Sequence, residues 1–130
     1  MRLDPMQTKS FRASQEAAAR LLGDASALRT LLSFVETRQQ SLGSDIATRI
    51  HLDIAEAIVD AHIEELGEPG LPAARAEALR TDSRCGVVVA ALHYVASRDC
   101  PPRVVGSDEP DDLEILRWAT DRARGACPVG

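Results

Sequence analysis

Aromatic side chains are almost missing from this chain. Phe11, Phe34, Tyr94 and Trp118 make up 3% of its 130 residues, so the core has to be aliphatic and alanine-rich. β-Branched residues are sparse as well, which disfavours a strand-rich fold, whereas alanine is the best helix former. The longest nearly uncharged apolar stretch, Cys85 to Ala96, falls far short of the ~20 residues needed to cross a bilayer. Residues 1–14 carry Arg2, Lys9 and Arg12 but no apolar segment of ~7–15 residues, so no secretory signal is expected. The expected compartment is the cytoplasm. Cysteine is scarce too. Cys85, Cys100 and Cys127 are widely spaced and form no C-x-x-C, which argues against a zinc knuckle or a dithiol redox site. We expect free thiols, with Cys85 buried as a small hydrophobe.

The signatures of common catalytic sites are also missing. There is no G-x-x-x-x-G-K-[ST], no G-x-G-x-x-G and no G-x-S-x-G, so neither a glycine loop around a phosphate nor an α/β-hydrolase serine is indicated. No cofactor is implied, and catalysis is not evident.

What remains reads as one helical domain over residues 1–130, with 1–9 as a loose arm and 126–130 as a loose tail. A hydrophobic content of 45% is ordinary for a globular chain. A first helix is predicted from Ser10 to Leu22, ended by Gly23 in a left-handed C-cap. Asp24 then caps a second helix whose Leu28, Leu31, Leu32 and Val35 form an i, i+3, i+4, i+7 stripe. Asp45 opens the longest helix, which runs to Leu66 and is closed by Gly67, Pro69 and Gly70. A short helix follows from Pro72 to Arg80, and Thr81 to Ser83 supply a break and a new cap. The next, Arg84 to Arg98, is apolar on nearly every side and belongs in the middle of a bundle. Pro101 and Pro102 end it, and a last helix runs from Pro110 to Arg124. The fold class is therefore all-α, a compact orthogonal or up-down bundle of five to six helices.

Charge is segregated along the chain. Fifteen Lys and Arg against twenty Asp and Glu give −5, a balance poorly suited to nucleic acid. Yet Asp53 to Glu68 contributes −6 and Asp99 to Glu114 contributes −5, leaving +6, nearly all arginine, on the rest. Asp53, Glu56, Asp60 and Glu64 share one helical stripe. Like charges at i, i+4 cost about 0.2–0.5 kcal/mol per pair, so the stripe is either a solvated face, a face paired with arginines, a cation site, or a docking face for a basic partner. His51 and His62 fall on the opposite face with Ile54, Ile58, Val59 and Leu66, where they are candidates for core, interface or pH-sensitive contacts. They lie eleven residues apart, roughly 16 Å along a helix, too far to share one ion. The second block is explained by capping: Asp108 or Glu109 as cap, with Asp111, Asp112 and Glu114 in a first turn that favours acids. Asp99, Asp111, Asp112 and His93 form the alternative, a metal site, though without H-x-x-x-H or E-x-x-H spacing.

One stretch resembles a known family. Ala90-Ala91-Leu92-His93-Tyr94-Val95-Ala96-Ser97, then Asp99, Pro101-Pro102, Gly106 and Asp111-Asp112-Leu113-Glu114-Ile115-Leu116, is similar to the signature of the YkvA-like family of bacterial helical proteins. Leu21-Leu22-Gly23-Asp24 leading to Leu31-Leu32 has a similar cadence upstream. Arg98 stands where the family has proline, and the isoleucines of the family's loop are absent. The resemblance implies a helical fold without a settled activity, and, for some members, membrane association. The function expected from the residues themselves is protein–protein contact, as a homo-oligomer or accessory subunit. The alternative is a metal-binding protein or metal-dependent enzyme.

Overall fold

Alanine-rich segments broken at glycine, proline and aspartate fold here into helices, with no strand among the described residues. The structure, a computed structural model, describes residues 9–42, 46–97 and 112–125. Six helices occupy them: α1 (Lys9–Leu21), α2 (Ala25–Leu42), α3 (Ile46–Leu66), α4 (Ala73–Arg80), α5 (Ser83–Ser97) and α6 (Asp112–Gly125). The expected all-α bundle is thus present, and no helix among the described residues is long and apolar enough to cross a membrane. Lys9, assigned to a loose arm on sequence grounds, already belongs to α1. Asp45, Asp108, Glu109, Pro110 and the tail 126–130 lie outside the described residues.

α5 is the axis of the bundle and packs against α1, α2, α3 and α6. Val88, Val89, Ala90, Ala91, Leu92, Tyr94 and Val95 are all buried, the outcome expected of a helix with no polar face. Each fully buried valine or leucine contributes about 1.5–3 kcal/mol relative to exposure. The scarce aromatics are concentrated on one side. Phe11 of α1 meets Trp118 of α6 edge-on at 5.2 Å and Tyr94 of α5 at 6.2 Å, a tilted contact, both in the favourable range for ring pairs. Phe34 stands apart, 61% exposed on α2.

Two caps form as expected. Asp24 Oδ1 accepts the Ala27 N–H at 3.1 Å, and Asp82 Oδ1 accepts those of Arg84 and Cys85 at 3.0 and 3.3 Å, satisfying amide groups that an α-helix leaves unpaired at its start. Pro72 sits one position before α4, as its N-cap, with extended backbone. Gly23 corrects an expectation. It is not left-handed; among the described residues Gly70 alone has positive φ, at 74°. Instead a Cβ on Gly23 would lie 2.7 Å from Cγ and 2.8 Å from Cδ of Arg80. The glycine is there because an arginine stem crosses it.

Candidate functional site

α3 carries more apolar residues than one buried stripe can use. Its covered side presents Thr48, Leu52, Ala55, Val59, His62 and Ile63, all buried. Ile46 and Ile50, one turn apart, point away from that side and are 80% and 52% exposed. Ile54 continues the line half-buried, and Ala57 and Ala61 extend it exposed. Residues 46, 50, 54, 57 and 61 recur at the spacing of one helix face, so the helix is apolar on two opposite sides and the bundle covers one. Asp53, Asp60 and Glu64 are exposed along the margin of the open side.

Glu56, the fourth member of that acidic stripe, turns inward to α2 and joins an ion cluster. Arg49 Nε and Nη2 donate to Asp53 Oδ1 at 3.0 and 2.8 Å, Nη1 donates to Glu36 Oε1 at 3.1 Å, and Nη2 reaches Glu56 Oε1 at 3.4 Å. Ligand atoms of Glu36, Asp53 and Glu56 lie within 4.8 Å of one another. That is close enough for a divalent ion, but the arginine already supplies the cation. Three carboxylates exceed what one guanidinium neutralises, and burial sets which of them yields. The Glu56 side chain is 16% exposed, and its Oε2 is shielded from water without a hydrogen-bond partner. Burial, the contact with Glu36 and that residue's negative charge push its pKa up to about 8. Hydrogen bonds from Arg49 and Glu56 hold Glu36 below the ordinary carboxylate range, and the carboxylates hold Arg49 above the ordinary arginine value. A proton on Glu56 lets the two carboxyl groups share a hydrogen bond, which raises the pKa of Glu56 and lowers that of Glu36.

The histidines separate. His62 is buried, and its Nε2 lies 2.8 Å from the Leu22 carbonyl oxygen beyond the end of α1. It joins α3 to α1 inside the chain. His51 is half-buried, with Nδ1 3.4 Å from Thr120 Oγ1 of α6. His93 lies between α1 and α5, its Nδ1 2.9 Å from Ser14 Oγ and 3.3 Å from Ser97 Oγ. Burial, and then the charge of Arg20, lower its pKa. A serine hydroxyl on an imidazole nitrogen is the pairing a nucleophile needs. Ser14 is buried in the α1–α5 contact, however, and the pair serves as a polar clamp between helices. Sequence inspection gives no hint of it, because 79 residues separate the partners.

Of the alternative metal set, Asp99 and Asp111 lie outside the described residues, and for Asp112 only its place at the start of α6 is described. Among the described residues, the one acidic group with ligand spacing is the cluster filled by Arg49. Cys85 is buried, and burial followed by the nearby Asp82 charge pushes its thiol up to about 12. It remains a protonated thiol at neutral pH. Compared with family models, with curated proteins and with solved structures, the chain finds no match.

Proposed function

We propose that the protein acts as an interaction module, docking a basic amphipathic helix of a partner protein on the open side of α3. The observation that carries this reading is the exposure of Ile46 and Ile50 on a helix whose margin is acidic. Isolated exposed apolar residues are ordinary, but a row at helical spacing beside like charges is a docking surface in form. The acidic margin also selects the partner. In a two-fold antiparallel pairing of α3 with a second α3, equivalent flanks meet, which sets Asp53, Asp60 and Glu64 against their own copies. A helix with leucine or isoleucine every three to four residues and lysine or arginine along one flank meets both features.

Isothermal titration of the full chain with a synthetic helical peptide of that pattern tests the reading, against a scrambled peptide of identical composition. The patterned peptide is expected to bind at least about tenfold tighter than the scrambled one, a difference of ~1.4 kcal/mol. Ile50→Gln is expected to remove that preference, and Asp60→Asn with Glu64→Gln to weaken binding and flatten its salt dependence. Equal binding of both peptides, or no effect of Ile50→Gln, overturns the proposal. A stable dimer by light scattering that Ile50→Gln dissolves assigns the face to a second copy instead.

A further inference from the structure

A second feature lies away from α3. A cleft of about 810 Å³ opens between α1, the junction of α4 and α5, and the last turn of α6, within the ~300–1,000 Å³ usual for small-molecule sites. α3 contributes nothing to its lining. The floor is apolar, formed by Ala18, Ala19 and Leu22 of α1 with Val87 of α5. Gly86 also lines it, with Leu22 Cδ1 3.4 Å from where a Cβ would stand.

The walls are cationic. Arg80 ends α4, Arg84 lies in the first turn of α5, and Arg122 lies in the last turn of α6, so three separate helices each bring a guanidinium to one opening. All three make contacts within the protein. The stem of Arg80 lies across Gly23, and its Nη2 donates to Glu77 Oε2 at 2.9 Å. The Arg122 guanidinium carbon lies over the Trp118 ring, 5.5 Å from its centre, within the range of a cation–π contact. Asp82 is the carboxylate of the lining, and its Oδ1 is engaged by the amides of Arg84 and Cys85.

We propose that this cleft binds a small amphipathic anion: a carboxylate or phosphate head directed to Arg80, Arg84 and Arg122, with a short hydrocarbon body on the Ala18–Leu22–Val87 floor. A neutral hydrocarbon would strip water from the guanidiniums without replacing it, and an inorganic anion would leave the floor wet. The combination of the two linings selects a ligand that has both parts. The site is independent of the α3 face, and either can fail without the other.

Trp118 is the only tryptophan of the chain, and it lies under one of the three arginines, so its fluorescence reports occupancy. The full chain is titrated with octanoate, octyl phosphate, inorganic phosphate and octyl glucoside, all below micelle-forming concentrations. At least one of the two octyl anions is expected to give a saturable Trp118 signal, with affinity at least about tenfold above inorganic phosphate and octyl glucoside. Which of the two binds tighter identifies the head group. Arg80→Gln combined with Arg84→Gln is expected to weaken binding at least about tenfold. Ala19→Glu, an exposed position at the edge of the floor, is expected to do the same while every arginine is kept. Circular dichroism checks that both variants retain their helix content. Absence of saturable binding by either octyl anion, octyl glucoside binding as tightly as the anions, or full affinity in both variants overturns the proposal.

Discussion

α5 and α3 are the two most apolar long stretches of this chain, and the bundle treats them differently. α5 is enclosed by four other helices, and its apolar residues are buried except for Val87 and Ala96, which are half-buried. α3 has a buried stripe as complete as any in the molecule, yet it keeps two isoleucines in water on its other side. Enclosure accounts for the apolar residues of α5 as packing, with Val87 at the cleft as the exception. The second face of α3 has no such account among the described residues, and an interaction surface is the explanation its acidic margin favours. Hydrophobicity alone does not separate a core helix from a docking helix; the number of sides the fold covers does.

The sharpest way to break the contrast is at the axis. Leu92→Ala removes a fully buried side chain from α5 and is expected to cost about 2–5 kcal/mol, read as a lowered urea midpoint. An effect below ~1 kcal/mol would mean that α5 is not the enclosed element described.

The middle case lies where the covered and open sides of α3 meet. Glu56 has a folded-state pKa of about 8 against an ordinary 4.5, so between those values the folded chain holds a proton that the unfolded chain has released. Stability therefore falls as pH rises through that window, and the contribution of the proton is lost above about 8. Glu36 works oppositely: its depressed pKa stabilises the fold above the ordinary value, and that contribution fades on acidification below it. Urea melts of wild type from pH 7 to 9, above the range in which His93 opposes the trend, are expected to show declining stability, and Glu56→Gln is expected to flatten the decline. Parallel pH profiles for the two proteins would show that Glu56 is not the titrating group.

The smallest effect is expected on the open side. Ile50→Gln should change folding stability by no more than about 0.5 kcal/mol, measured by the same urea melts. A loss comparable to that of Leu92→Ala would place Ile50 in the core and remove the basis for a docking face.

Much of the fold was legible because the deciding signals are local. Asp24 and Asp82 cap the helices that follow them, and the run from Val87 to Leu92 has no polar face to expose. α3 was harder to read for a physical reason. With isoleucines and alanines on both sides, its periodicity fits two orientations, and the sequence grouped Ile54 and Ile58 with the buried face. The packing turned the helix so that Leu52, Ala55, Val59 and Ile63 face inward and Ile54 stands at the open side. Of the Arg49 cluster, Asp53 and Glu56 were legible as part of the acidic stripe but their arginine was not, and Glu36 arrives from another helix. In the cleft, Arg80 and Arg84 are four residues apart, but Arg122 joins them only through the fold.

The packing of α1 on α5 sets spatial order against the order of synthesis. Phe11, Ala18 and Leu22 are made before the surfaces that shelter them: α5 is not complete until Ser97 has been added, and Trp118, which packs on Phe11, comes later still. At typical elongation rates of about 5–20 residues per second, α1 waits roughly 4–15 s for α5 alone. During that interval its apolar side is available to chaperones and to other nascent chains.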